Sequence, residues 1–104
     1  MTIRESVRAL LSTTLNDTSD RRIQELRDQI SDNDRAIVRA LNKRIELVGR
    51  LKRYKESQGI EFVDPKQEEA VLRDLSRANR GPISQGALRE LYTRILELTK
   101  KEVQ

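Results

Sequence analysis

The chain has 104 residues, of which 21 are Lys or Arg and 17 are Asp or Glu, giving a formal net charge of +4. This length suits one domain, and the absence of Cys and His excludes disulfides, zinc sites on those ligands, thiol nucleophiles and imidazole acid–base chemistry. Aromatic residues make up 3% while Leu, Arg, Glu, Lys and Ala dominate, which favours helix over strand. A monomer of this size buries only a thin core, so we expect an oligomer.

No apolar run approaches the roughly 20 residues needed to span a bilayer, and charges interrupt the apolar positions of residues 1–5. We therefore expect a cytoplasmic protein with no signal peptide and no membrane partner. The basic balance permits an anionic partner. Nucleic acid is not expected, because acidic residues are interleaved with the basic ones, aromatic residues for stacking are few, and no predicted helix has a one-sided basic stripe.

Residues 1–20 are predicted to form an N-terminal arm or short helix, ahead of a helical domain over residues 21–104. Apolar residues lie at helical spacing in residues 3–11. The polar stretch that follows ends at Asp20, a residue type that favours the N-cap of a helix.

A very long helix is predicted from about Arg21 to Ser57. Only Gly49 interrupts its strong helix formers, at a cost of about 1 kcal/mol relative to Ala. At about 1.5 Å per residue this helix would be roughly 55 Å long. The rest of so short a chain cannot cover it, and a second copy of the chain is expected to do so.

Gly59 ends the long helix, and Asp64 is predicted to cap a second one. Pro65 then occupies the first helical position, Gln67 stands where a capping-box partner belongs, and the helix runs to about Asn79. Its inward-facing residues are predicted to be Val71, Leu72 and Leu75.

Residues 80–82 predict a turn, after which Ser84 caps a third helix. The apolar positions of this helix are Leu88, Leu91, Ile95 and Leu98. The predicted fold is therefore all-α: a three-helix chain with one very long N-terminal helix.

A heptad-like apolar seam along the long helix contains charges at four of its ten positions. The seam consists of Ile23, Arg27, Ile30, Asp34, Ile37, Leu41, Arg44, Val48, Leu51 and Lys55. Charges in a packing seam are costly unless they are paired or hold a ligand. Two interpretations stay open: either Arg44 pairs with Asp34 or Glu68 while the outer cations reach water, or the cations bind an anion.

Spacing shows how such an anion site would be built. Arg44 and Lys55 differ by only about 20° in direction and are separated by roughly 16 Å along the axis, so both can close on a small dianion. Arg27 lies about 25 Å from Arg44 along the helix, too far to share that ligand within one chain. In an antiparallel dimer, Arg27 of one subunit would reach the pocket of the other, giving two equivalent sites.

Several segments also occur in one order that is familiar from a known family. They are residues 26–31 (LRDQIS), 41–47 (LNKRIEL), 54–55 (YK), 62–69 (FVDPKQEE), 81–84 (GPIS) and 91–95 (LYTRI). This series resembles the all-helical (class II) chorismate mutases over roughly residues 22–103. The resemblance implies an intertwined homodimeric helical bundle with shared active sites, which rearranges chorismate to prephenate in the biosynthesis of Phe and Tyr.

The resemblance also implies a role for each matching residue. Arg27 of the partner subunit and Arg44 of the same chain would bind the two carboxylates of chorismate. Lys55 would contact the ether oxygen and a carboxylate. Glu68 would accept a hydrogen bond from the ring hydroxyl, with Asp64 beside it. The reaction breaks a C–O bond while a C–C bond forms, and it needs no nucleophile, metal or cofactor. The protein holds the folded conformer and stabilises the charge that grows on the ether oxygen.

Two of the expected substrate-binding positions depart from the family pattern. Gln67 replaces an arginine, and Val103, four residues after Thr99, replaces the Gln or Glu that is a second partner of the ether oxygen. Losing one such hydrogen bond costs on the order of 2–4 kcal/mol. Three explanations stay open: a weak enzyme, Gln104 folding over the site, or a partner enzyme of the same pathway that rearranges the last turn.

Two other functions compete with the chorismate mutase interpretation. A related helical enzyme would act on isochorismate or 4-amino-4-deoxychorismate, but the resemblance implies that such relatives tend to lack the glutamate found here as Glu68. A non-catalytic regulatory subunit would keep the fold but would have lost the second partner of the ether oxygen, which Val103 replaces. Turnover of chorismate separates these possibilities.

Overall fold

The computed structural model describes residues 14–104, with side chains from residue 19 onward. This part of the chain forms three helices, α1 (Thr14–Ser57), α2 (Pro65–Ala78) and α3 (Gln85–Glu102), and contains no strand. The predicted all-α fold is confirmed. Most of the predicted N-terminal arm, residues 1–13, lies outside the described residues.

Helix α1 begins at Thr14 rather than at about Arg21, so the predicted start was wrong. Asp20 lies inside the helix and is not its N-cap. No Gly or Pro stands between Thr14 and Arg21. The Thr, Asn, Asp and Ser residues there each cost only about 0.7 kcal/mol or less relative to Ala, which is too little to stop a long helix.

A Schellman motif ends α1 at the glycine that the sequence indicated. Gly59 has a φ of 67°, the left-handed conformation that glycine adopts without a Cβ penalty. The amide of Gly59 donates to the carbonyl of Glu56 at 3.2 Å, and the amide of Ile60 donates to the carbonyl of Lys55 at 2.8 Å. These two bonds fix the chain direction immediately after Lys55.

Helix α2 begins and ends where the sequence predicts. The side chain of Asp64 accepts a hydrogen bond from the Gln67 amide at 3.2 Å, and Pro65 is the first helical residue. At the other end Asn79 is the C-cap. The carboxylate at the N-cap and the proline after it therefore stand at this helix start as predicted.

The turn between α2 and α3 is organised by one side chain. Asn79 accepts from the Gly81 amide at 2.8 Å and donates to the Ile83 carbonyl at 3.0 Å. Gly81 has a φ of 74°, again in the region that favours glycine. Ser84 then caps α3 by accepting from the Ala87 amide at 3.1 Å, as predicted.

Replacing Ser84 with Ala is expected to lower the free energy of unfolding by about 1 kcal/mol, because it removes this cap. Thermal unfolding followed by circular dichroism should show a fall in Tm of about 4–8 °C. Ser84→Asp is the control: it keeps an acceptor at the N-cap and should stay close to the wild type. Equal losses in both variants would show that the cap is not the cause.

Contacts between Cα atoms divide the chain into two units, Met1–Ala40 and Leu41–Gln104. Among residues 19–40, whose side chains are described, the large apolar residues are exposed; they are Ile23, Leu26, Ile30, Ile37 and Val38. This apolar face of α1 is therefore left uncovered by the described part of the chain.

In the second unit α2 packs against α3 around a small core. Its buried residues include Leu72, Leu96 and Thr99. On α3, however, Leu91 and Leu98 remain 49% and 44% exposed, so the predicted apolar face of this helix is only partly used within one chain. The thin core predicted from the composition is confirmed for the described residues.

No helix within residues 14–104 combines the length and the apolar character that crossing a membrane would require.

Candidate active site

A cavity of about 110 Å³ opens among the segments of the second unit. It is lined by Arg44, Val48, Leu51 and Lys55 of α1, by Phe62, Val63 and Asp64 before α2, by Gln67, Glu68 and Val71 of α2, and by Leu96, Thr99 and Lys100 of α3. Its volume is below the roughly 300–1,000 Å³ of a typical small-molecule site. We call it the main pocket.

One face of α1 supplies the first wall of the main pocket. Arg44, Val48, Leu51 and Lys55 follow one another at steps of four, three and four residues, which keeps them on the same side of a helix. The two cations therefore lie at either end of an apolar strip. The last four positions of the predicted seam are the side chains that form this pocket wall.

Helix α3 holds the guanidinium of Arg44 in place by two contacts. Nη1 of Arg44 donates to Oγ1 of Thr99 at 2.7 Å, and the guanidinium carbon lies 5.7 Å from the centre of the Tyr92 ring. Thr99, with 2% of its surface exposed, donates its own proton to the Ile95 carbonyl at 2.7 Å. Glu68 pairs with Lys100 rather than with Arg44, and Arg44 binds a hydroxyl, which leaves it further donors for a ligand.

The end of α1 positions Lys55. Its carbonyl takes part in the Schellman motif, and its ammonium donates to the carbonyl of Phe62 at 3.3 Å. A lysine has three N–H donors, so this contact leaves others for an anion in the pocket. The loop that begins at Gly59 thus passes back over the side chain of Lys55 and contacts it through the carbonyl of Phe62.

Glu68 is paired across the pocket with a residue that the sequence analysis did not single out. Its Oε1 lies 2.8 Å from Nζ of Lys100 on α3. The two side chains are 32% and 34% exposed, so the pair lies at the edge of the pocket rather than in open solvent. The sequence offers only a weak indication that Lys100 belongs to the site. It follows Thr99, an expected substrate-binding position, but lysines are common near the C-terminal ends of helices.

Asp64 and Gln67 complete the α2 wall as a linked pair. The carboxylate of Asp64 accepts from the backbone N–H of Gln67, which holds the Asp64 side chain at the first turn of α2. The side chain of Gln67 carries no charge, so this wall offers two carboxylates and no cation.

Val103 lies outside the main pocket. It is the C-cap of α3, and its carbonyl accepts from Nζ of Lys52 at 3.1 Å. Its Cγ1 approaches the backbone of Gly49, since a Cβ on that glycine would lie 3.8 Å away. The last turn is therefore held against α1 through Val103.

Arg27 is an exposed residue of the first unit. The residues that line the main pocket all lie between positions 44 and 100, so Arg27 is not one of them.

Within residues 14–104 no group of three or more acidic, His or Cys side chains is placed to hold a metal ion.

The main pocket combines an apolar surface with three cations, Arg44, Lys55 and Lys100, and two carboxylates, Asp64 and Glu68. Fixed cations in a partly dry site bind a small anion more strongly than they would in water. Fold and site together define an all-helical protein with a partly apolar pocket in which three cations face two carboxylates.

The comparison with known families agrees with this class. The family model of chorismate mutase type II matches residues 26–104. This chain belongs to the chorismate mutase type II family. A comparison with curated proteins gives no significant match.

Two solved structures of a chorismate mutase from Thermus thermophilus are similar to this chain. The structure of form II has a TM-score of 0.73 and 34% sequence identity, and the match covers 77% of this chain and 91% of that one. The structure of form I has the same TM-score of 0.73 with 35% identity, over 75% of this chain and 98% of that one.

Proposed function

We propose that this protein is a chorismate mutase that rearranges chorismate to prephenate in the biosynthesis of Phe and Tyr. The observation that carries the proposal is the fixed pair of cations on one face of α1. Arg44 and Lys55 face the main pocket, and each is held by a neutral oxygen of another segment. Among the described residues neither cation forms a salt bridge with a carboxylate, so both can serve a dianionic substrate.

Each pocket residue has a role in this proposal. Arg44 binds one carboxylate of chorismate, with Thr99 holding its guanidinium in position. Lys55 lies against the ether oxygen, where negative charge grows as the C–O bond breaks and the C–C bond forms. Glu68 accepts a hydrogen bond from the ring hydroxyl, and Asp64 lies beside it at the start of α2. Holding the substrate in its folded conformer supplies the remaining rate enhancement.

We propose that a second copy of the chain completes each site. The exposed apolar face of the first unit and the small volume of the main pocket support this proposal, because a partner helix would cover the former and close the latter. Arg27 of the partner subunit would bind the second carboxylate. The protein is then an intertwined homodimer with two shared active sites.

The second partner of the ether oxygen is not supplied by Val103 in this proposal. Its side chain has no group that could donate, and it lies against Gly49. Gln104 lines a neighbouring cavity together with Phe62, Val63 and Lys100, which also line the main pocket. We propose that Gln104 approaches the ether oxygen in the assembled site, either unaided or when an enzyme of the same pathway docks on the last turn of α3.

The proposed location is the cytoplasm. The chain has no Cys, so its fold does not depend on an oxidising compartment. Cell fractionation is the direct test.

The test of the proposed function is incubation of the purified protein with chorismate. Loss of chorismate is followed by absorbance, and the product is identified by chromatography; the expected product is prephenate. Isochorismate and 4-amino-4-deoxychorismate are offered in parallel and should react far more slowly. Glu68 is proposed to accept a hydrogen bond from the ring hydroxyl of chorismate, which isochorismate carries at a different ring position and the amino analogue lacks. A folded protein that leaves all three compounds unchanged would contradict the proposal and favour a regulatory subunit.

A further inference from the structure

Lys100 is the one cation of the main pocket that the assigned roles do not use. It projects from the last turns of α3, next to the buried Thr99 that holds Arg44. Its ammonium lies 2.8 Å from the carboxylate of Glu68, and about a third of its side chain is exposed. It is thus within reach both of the residue proposed to bind the ring hydroxyl and of a ligand in the pocket.

The charge balance of the pocket depends on this residue. Three cations and two carboxylates leave a net charge of +1. Without Lys100 the two remaining cations and the two carboxylates of this chain would cancel, and Arg27 of the partner subunit would be left to supply the net positive charge that faces a dianion. The α2 wall cannot make up the difference, because Gln67 is neutral.

The chemistry of the ammonium allows two contacts at once. A lysine carries three N–H donors, and its bond to Glu68 uses one of them. The pair also leaves the second oxygen of Glu68 free to accept from a substrate hydroxyl. No carboxylate other than that of Glu68 is paired with Lys100 among the described residues.

We propose that Lys100 is a further substrate-binding residue, which holds Glu68 in position and donates a hydrogen bond to a carboxylate of the substrate. This inference rests on the proposed function for the identity of the dianion. Lys100 supplies from α3 the positive charge that Gln67 does not supply from α2.

The test compares Lys100→Gln with the wild type by steady-state kinetics and by calorimetric binding of prephenate, the dicarboxylate product. Charge-assisted hydrogen bonds are stronger than neutral ones. We therefore expect KM for chorismate and Kd for prephenate each to rise about tenfold, equivalent to about 1.4 kcal/mol, with kcat changed less than threefold. Lys101→Gln makes the same change of charge at an exposed neighbour outside the main pocket and should leave both constants within twofold.

A rescue variant separates a lost cation from a disturbed fold. Adding Gln67→Arg to Lys100→Gln returns positive charge to the pocket from the opposite wall, and should bring KM and Kd back to within threefold of the wild type. Lys100→Arg, which keeps the charge in place, serves as a second variant if Lys100→Gln does not fold, and should also stay within threefold.

A double-mutant cycle with Glu68→Gln tests whether Lys100 touches the substrate itself. If it does, Lys100→Gln still weakens prephenate binding several-fold when Glu68 is already replaced. Loss of the effect in that background, unchanged constants in Lys100→Gln, or a matching loss in Lys101→Gln would overturn the proposal. An inactive wild type would instead contradict the proposed function, so the two failures are distinguishable.

Discussion

Replacing Lys55 with Ala is expected to reduce kcat for chorismate by about 10²–10³-fold, the effect of removing one donor that stabilises charge in a transition state. The structure gives this lysine a fixed position, because its carbonyl belongs to the Schellman motif and its ammonium is bonded to Phe62. The charge on the ether oxygen is larger in the transition state than in the substrate. The loss should therefore fall mainly on kcat, with KM changed to a smaller extent.

The matched control is Lys43→Ala, which removes the same charge from an exposed position of α1 outside the main pocket. This variant should keep kcat within twofold of the wild type. Prephenate formation is followed in both variants beside circular dichroism spectra, which confirm that the helices are intact. Wild-type kcat in a folded Lys55→Ala protein would remove Lys55 from the mechanism.

Mixing subunits that carry Arg27→Ala with subunits that carry Arg44→Ala is expected to restore activity that neither variant has alone. Each substitution removes a charged hydrogen-bond donor to a carboxylate and should cost about 10–100-fold in kcat/KM, from about 1.5–3 kcal/mol. If Arg27 acts in the partner's site, a heterodimer has one site with both arginines and one with neither. Random exchange makes half of the dimers mixed, so we expect recovery to about one quarter of the wild-type activity.

The control for this experiment mixes Arg44→Ala with Lys55→Ala subunits. Both residues line the main pocket of the same chain, so no heterodimer contains an intact site and no recovery is expected. Subunit exchange is verified by mass spectrometry under native conditions. Exchange without recovery in the first mixture would place Arg27 outside the active site, while a monomer in solution would contradict the shared site altogether.

Most helix ends of this protein could be predicted from the residues next to them. Asp64, Pro65, Ser84 and Gly59 act through bonds to residues at most five positions away, so their effect can be predicted without knowing the fold. The start of α1 could not be predicted in this way. Helix propensities of Thr, Asn, Asp and Ser differ by only a few tenths of a kcal/mol, and a helix as long as α1 extends through them.

The α1 wall of the site was also determined by the sequence. Arg44 and Lys55 lie eleven residues apart, and helical geometry alone requires that they face the same side. The order of segments along the chain likewise identified the chorismate mutase family, which the match over residues 26–104 confirms. The roles of the individual site residues remain predictions.

The tertiary structure decided which side chains meet across helices. It joins Arg44 to Thr99, 55 positions later, and Glu68 to Lys100, and it keeps Val103 against Gly49 and away from the main pocket. These pairings depend on the relative placement of helices. That placement is set by the many small packing contacts between helices, and no spacing within one helix records it.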